Sequence, residues 1–331
     1  MTETGLPTCP ACAHVGDAGD LFCETCGTEL VGTEGTSVTP ASCPTCGEDA
    51  GPLLDGYCRS CGRRLPSRRD RLEAVEGDGR IAAMTHRGRR SRNEDAFAIA
   101  TTDDRVVAAI SDGVSTTAGS DKASLEAVEA AVEALRANGN AGVPDALRDA
   151  YTAARDAVNR LGGNGHDVPS PPACPFLALS AALQQVDLVS VGDCRAFWLP
   201  DEGDPKTLTE DDSWAAEQVT AGTMTVDQAH ADPRSHGITR WLGGDADPSW
   251  APRHVSFSAH GPGRVVLCSD GLWNYAPSAD QVATAAGVGT PAATARRLVD
   301  YANECGGRDN TTVVVVSIAG PATSPPKGSA S

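Results

Sequence analysis

Gly263–Trp273 reads GRVVLCSDGLW, and Val106–Val114 has already read VVAAISDGV. In both, an apolar run with the length and β-branched content of a buried strand ends on Ser-Asp-Gly, which carries a carboxylate to the strand's tip. One Asp beside one Gly is ordinarily a turn residue. Here the pattern recurs: Asp193 follows VDLVSVG, Asp309 stands just before TTVVVVSI, and RNEDAFAIA sets Glu94 and Asp95 ahead of another run. Acids at five strand ends imply converging sheet edges, where bare carboxylates would repel one another unless cations sat between them. A hard divalent ion that takes oxygen ligands and keeps several waters, Mg²⁺ or Mn²⁺, suits such a set.

Between these strands the period changes. Leu125, Val128, Val132 and Leu135 recur at helical spacing, and DALRDAYTAARDAVNRL continues in the same manner, so two consecutive helices are predicted. TPAATARRLVDYANECGG opens with Thr290 as N-cap and Pro291 at the first helical position, and closes on Gly306 and Gly307. Strands are predicted at RVVAAIS, FLALSAAL, VDLVSVG, HVSFSA, RVVLCS and TTVVVVSI. Strands and helices come in runs without a regular βαβ repeat. The fold class is therefore α+β, with helices flanking mainly antiparallel sheets.

Six stretches carry a family resemblance, in order: RSRNEDA (Arg90–Ala96), SDGVSTTAG (Ser111–Gly119), VGDCRAFWL (Val191–Leu199), LTEDDS (Leu208–Ser213), CSDGLW (Cys268–Trp273) and GGRDNTT (Gly306–Thr312). Together they resemble the metal-dependent protein phosphatases of type 2C, the PPM family, over about residues 81–318. The resemblance implies an αββα sandwich of two antiparallel sheets flanked by helices, with a dinuclear metal site at one end. It also implies roles. Asp112 would bridge both ions, Asp270 and Asp309 would hold the first, Glu94 and the Gly113 carbonyl would serve the second, and Asp193 would help bind a looser third. Arg90 falls where the family clamps the substrate phosphate, and Asp95 where it hydrogen-bonds metal waters. The implied activity is hydrolysis of phosphoserine and phosphothreonine on a protein, a Ser/Thr kinase or its target.

Such a reaction needs these residue types. Two divalent ions roughly 3.5–4 Å apart lower the pKa of a bridging water, so hydroxide can attack phosphorus in line near neutral pH. A planar guanidinium can bind two oxygens of the arriving dianion. Val114 stands where some relatives have a histidine, which leaves a metal-bound water as the expected proton donor. The motifs also depart from the family. DGVST (Asp112–Thr116) stands where the family usually has a further pair of glycines, Cys194 replaces a serine, and Cys174 and Pro175 stand where threonines are common. One residue fewer separates Gly88 from Arg90, so Arg87, Arg89 and Arg92 are also candidates for the clamp. Cys174, Cys194, Cys268 and Cys305 read as buried small hydrophobes. Glu210–Trp250 matches a flap beside the active site; its Trp214, Trp241 and Trp250 would either touch substrate or pack a small subdomain.

The cysteines divide the chain. Eight of the 12 lie in the first 61 residues, as Cys9-x2-Cys12, Cys23-x2-Cys26, Cys43-x2-Cys46 and Cys58-x2-Cys61. Two such pairs across a hairpin make a tetrahedral sulfur site suited to zinc, so two zinc ribbons in tandem are predicted for residues 1–66. Gly27, Gly47 and Gly62 each follow the second cysteine of a pair, where positive φ lets amides turn toward sulfur. Without a secretion signal a disulfide framework is disfavoured. Residues 67–80 are charged and short of apolar side chains, which reads as a linker, and 319–331 as a disordered tail.

Composition narrows the functions. A net charge of −17 over 331 residues, with nine acids against three arginines through residue 66, argues against nucleic acid and anionic lipid. No run of 18 apolar residues occurs, and the expected location is the cytoplasm. Two alternatives remain beside the phosphatase with docking ribbons. One is a weakly active adaptor that keeps the sandwich, and the other a zinc-ribbon nucleic-acid protein with a metal phosphodiesterase domain.

Overall fold

The computed structural model describes residues 43, 46–48, 57–63, 65, 67–102, 104–137, 143–162 and 170–319. The chain divides into two compact units, Met1–Leu72 and Glu73–Ser331. The first of the two expected ribbons, with Cys9, Cys12, Cys23 and Cys26, lies outside the described residues, as do 320–331 of the expected tail.

The larger unit runs in chain order through β1 (Arg71–Glu76), which begins at the unit boundary, β2 (Ile81–His86), β3 (Ala96–Thr101), β4 (Val106–Ser111), α1 (Ser120–Ala137) and α2 (Val143–Leu161). It continues with β5 (Ala173–Cys174), β6 (Phe176–Ala182), β7 (Gln185–Val191), β8 (Arg195–Pro200), β9 (Lys206–Thr207), α3 (Trp214–Thr220), α4 (Val226–Ala231) and β10 (Leu242–Gly243). The last elements are β11 (Arg253–Ser258), β12 (Gly263–Cys268), α5 (Asp270–Trp273), α6 (Ala279–Ala286), α7 (Pro291–Glu304) and β13 (Thr311–Ile318). One sheet has the order β1-β2-β13-β12-β8-β9, a second β11-β7-β6-β4-β3, and β10 pairs with β5; from β2 onward the paired strands are antiparallel.

Side-chain parity explains why the central strands are apolar without a break. In β4, Val106, Ala108 and Ile110 enter the core between the sheets, while Val107 and Ala109 pack under α1 and α2. In β13, Val314 and Val316 face the other sheet, and Val313 and Val315 face α6 and α7. A strand covered on both faces has no solvent side to alternate with. Each fully buried Val or Leu contributes about 1.5–3 kcal/mol. Ala123, Ala127 and Ala131 give α1 a flat apolar stripe that lets it lie close on its sheet. The α7 caps follow the sequence: the Thr290 hydroxyl accepts from the Ala293 amide, and the Gly306 and Gly307 amides close on Asn303 and Ala302.

Two stretches differ from expectation. Residues 67–80, expected as a linker, form a capped turn (Arg68–Asp70) and then β1. No residue of β1 is fully buried, so no apolar pattern announces it, and its side chains hold to the unit through contacts such as the ion pair of Arg296 with Glu73 at 2.7 Å. Cys174, Cys194 and Cys268 are buried as expected, whereas Cys305, just past α7, is exposed.

Candidate metal centres

Register brings the acids to one end of the sandwich. Ser111 pairs with Ala96 on one side and Phe176 on the other, and Phe176 pairs with Val191. These four residues form one row across the sheet. Asp95 immediately precedes the row, Asp112 immediately follows it, and Asp193 lies one residue further on. On the facing sheet Cys268 pairs with Val313, so Asp270 and Asp309 emerge side by side.

The carboxylates feel one another. Asp112 is held well above the usual carboxylate range by burial and by the charges of Asp95, Asp270, Asp193 and Asp309. Burial and Asp309 push Asp270 up to about 6, although a hydrogen bond with Asp112 pulls the other way. Burial raises Asp95 to about 7 against a hydrogen bond from Ser269, whose Oγ donates at 2.7 Å. Asp193 is raised by burial and then by Asp270 and Asp211. Asp270 Oδ1 is buried without a hydrogen-bond partner. A buried acceptor with nothing to accept from, amid repelling acids, fits a cation, so the residues present suit divalent ions. Among the described residues no three of these acids close to within 4.8 Å of one another, so they enclose a wider space than the thiols described below.

Gly113 closes the floor of this site. A Cβ here would lie 2.7 Å from the Ser120 carbonyl and 2.8 Å from the Glu94 carbonyl, so only glycine lets the turn sit down on both. Both oxygens of Glu94 are held, Oε2 by the Ser115 hydroxyl and Oε1 by the Ser120 hydroxyl, each at 2.6 Å.

Of the four candidate arginines, Arg90 faces the acids: its Nη2 donates to Asp309 Oδ2 at 2.5 Å. Arg87 instead donates to the Arg90 carbonyl, Arg92 lies 3.7 Å from Asp121, and Arg89 is exposed. Asn310 ties the loop beneath Arg90 in place, accepting from the Glu94 amide and donating to the Arg87 and Arg92 carbonyls at 2.7, 2.8 and 2.9 Å. Ser115, Ser120 and Asn310 are the site residues that sequence reasoning passed over. Asn310 had a signal, since it sits next to Asp309 at a strand entrance.

Beside Asp270, a cavity of about 230 Å³ is lined by Arg195, Asp211, His236, Trp273 and Asn274 among others. Arg195 pairs with Asp211 at 2.7 Å and lies 3.9 Å over the Trp273 ring. The flap tryptophans pack within their own segment: Arg234 covers Trp214, and Trp241 meets Trp250 edge-on at 5.3 Å.

In the smaller unit Cys43, Cys46, Cys58 and Cys61 bring their sulfurs within 4.8 Å of one another. The pairs Cys43–Cys61 and Cys46–Cys58 stand 3.7 Å apart. A disulfide requires about 2.05 Å. A tetrahedron with zinc–sulfur bonds of about 2.3 Å has edges of about 3.75 Å, so this donor set fits zinc. Gly47 and Gly62 take φ of 74° and 68°, and their amides donate to the Cys43 and Cys58 carbonyls at 2.8 Å.

Comparison with known proteins agrees with both units. Residues 83–302 match the family model of protein phosphatase 2C, and 9–67 that of the double zinc ribbon. The serine/threonine protein phosphatase PstP of Mycobacterium tuberculosis is 34% identical over 143 residues, covering 43% of this chain and 26% of PstP. The serine/threonine phosphatase stp of Listeria innocua is 31% identical over 141 residues, 43% of this chain and 55% of the relative. The chain thus spans between about a quarter and about half of the length of these relatives. The crystal structure of M. tuberculosis PstP/Ppp superposes with a TM-score of 0.62 at 30% identity, covering 72% of this chain and 98% of that one. The PstP catalytic domain with two manganese ions superposes at 0.59 and 29% identity, with the same coverage. No helix among the described residues is long and apolar enough to cross a membrane. With the family model matched over most of the sandwich, the chain belongs to the protein phosphatase 2C family.

Proposed function

We propose that this chain is a serine/threonine protein phosphatase that hydrolyses phosphoserine and phosphothreonine with two divalent ions, Mn²⁺ or Mg²⁺, and that its ribbons dock the target. The observation that carries this reading is the convergence of Asp112, Asp270 and Asp309, from three separate strands, around a buried acceptor that lacks a partner. The two manganese ions in the PstP catalytic domain point the same way. Asp112, Asp270 and Asp309 would hold one ion, and Asp112, Glu94 and the Gly113 carbonyl the other, with Asp193 available to a third. When bound, such ions acidify water for attack on phosphorus and neutralise charge on the phosphoryl oxygens.

The chain's own residues do the rest. Arg90 binds the arriving phosphate and orients it through its planar fork. Asn310 holds the loop that carries Arg90 at a fixed distance from Asp309. Asp95, anchored by Ser269, presents a carboxyl group to the site's water. Zinc held by Cys43, Cys46, Cys58 and Cys61 would fold the second ribbon, and Cys9, Cys12, Cys23 and Cys26 are assigned to the first. The test is release of inorganic phosphate from a phosphothreonine peptide by the full chain with Mn²⁺ or Mg²⁺. Turnover that stops on chelation and returns with either ion is expected; no turnover with either ion rejects the reading.

A further inference from the structure

Past Asp112 the backbone turns at Val114–Thr117, and this turn is fixed from several sides. The Thr117 amide and hydroxyl both donate to the Val114 carbonyl, at 2.9 and 2.8 Å, and the Val114 amide donates to the Ala173 carbonyl in β5 at 3.0 Å. Ser115 occupies the corner and is exposed. Its hydroxyl donates to Glu94 Oε2 at 2.6 Å and accepts from Arg90 Nη1 at 3.2 Å, so one proton and one lone pair serve two charged groups of opposite sign. Arg90 Nη2 in turn donates to Asp309 Oδ2. A continuous path, Glu94 to Ser115 to Arg90 to Asp309, crosses the mouth of the acid cluster. The link between its two halves is a single hydroxyl.

We infer that Ser115 is a positioning residue for the phosphate clamp, fixing the Arg90 guanidinium against Glu94 before substrate arrives. The inference rests on the phosphatase reading. An arginine side chain has many rotamers, and ordering it on binding weakens affinity; a guanidinium already held at one nitrogen loses less. Ser115 acts through Arg90, so its hydroxyl governs how well phosphate is held more than how fast the bond breaks. Removing it leaves Arg90 tethered at Asp309 alone.

The experiment uses the full chain loaded with Mn²⁺, as wild type, Ser115→Ala, Ser115→Thr, Arg90→Gln and the Ser115→Ala/Arg90→Gln double variant. Affinity for inorganic phosphate is measured by calorimetry, and KM and kcat on a phosphothreonine peptide. Ser115→Ala should weaken phosphate binding and raise KM roughly five- to tenfold, within the range of a typical net hydrogen bond, with kcat within about twofold. Ser115→Thr, which keeps the hydroxyl, should recover most of the loss. In the Arg90→Gln background Ser115→Ala should add nothing, because both changes break the same path. Additive effects, or a fall in kcat with phosphate affinity intact, would overturn the inference while an active wild type leaves the phosphatase reading standing. Ser115-dependent phosphate binding by a protein that cleaves no phosphopeptide would support the clamp and reject the phosphatase reading.

Discussion

Four thiols in the smaller unit and a set of acids in the larger one each gather where a cation fits, but by different routes. The thiols all come from Cys43–Cys61, and their approach needs only two tight turns, each followed by a glycine at positive φ. The acids span Glu94 to Asp309 and meet only because two sheets hold their registers over the whole length of the sandwich. One centre is soft, closed and local; the other is hard, open and assembled from afar. On the proposed function, the first would therefore depend on its ion for its fold, and the second on its fold for its ions.

Losing a carboxylate from the assembled centre should have the largest effect on turnover. Asp270→Asn keeps the shape of the side chain and removes the charge, so phosphopeptide turnover with saturating Mn²⁺ should fall roughly a thousandfold, about 4 kcal/mol. Far-UV circular dichroism and zinc content should stay as in the wild type. A variant that hydrolyses the peptide as fast as wild type would break the comparison at its stronger end.

Removing a thiol should separate the two centres the other way. Apparent zinc binding to small ribbons is worth on the order of 10–16 kcal/mol and is their folding energy, so Cys58→Ser should release its zinc and unfold that ribbon. Turnover of para-nitrophenyl phosphate should remain within about twofold, because the acids sit in a separate compact unit. Action on the natural phosphoprotein should fall on the order of tenfold if the ribbon docks it, the effect of losing one of two linked contacts. Zinc release by a colorimetric chelator and the two turnover rates check this. A collapse of both rates would mean that the ribbons support or gate the catalytic unit.

The same contrast governs what could be read from the sequence. The CxxC spacings are themselves the ribbon geometry, and the apolar runs ending in Ser-Asp-Gly marked β4 and β12 because strands buried on both faces carry an unbroken signal. β1 left no such trace: none of RLEAVE is fully buried, so the strand carries no apolar signal. Cys305 was expected inside by residue type, yet it falls one residue past α7, where the chain turns back into solvent. Ser115 was visible only as a departure from glycine. Its partners lie 21 and 25 positions away, in a loop whose course is set by Asn310, so no local pattern could have joined them.

The effect expected to be smallest on turnover concerns protons standing in for cations. With Asp270 raised to about 6 and Asp95 to about 7 from an ordinary value of 3.8, the folded protein without Mn²⁺ or Mg²⁺ binds more protons than the unfolded chain between about pH 4 and 7. Stability then rises as pH falls through that window, because protonation removes charge that burial and neighbouring acids make costly. Protein loaded with zinc but free of Mn²⁺ and Mg²⁺ should therefore melt several degrees higher at pH 5.5 than at pH 7.5 by differential scanning fluorimetry, a shift matching a few kcal/mol in a chain of this size. Saturating Mg²⁺ should flatten the slope, since a cation does what the protons did, and Asp270→Asn should make it shallower by removing one of the responsible acids. A protein without Mn²⁺ or Mg²⁺ whose melting point rises with pH would mean that the acids do not share one charged space.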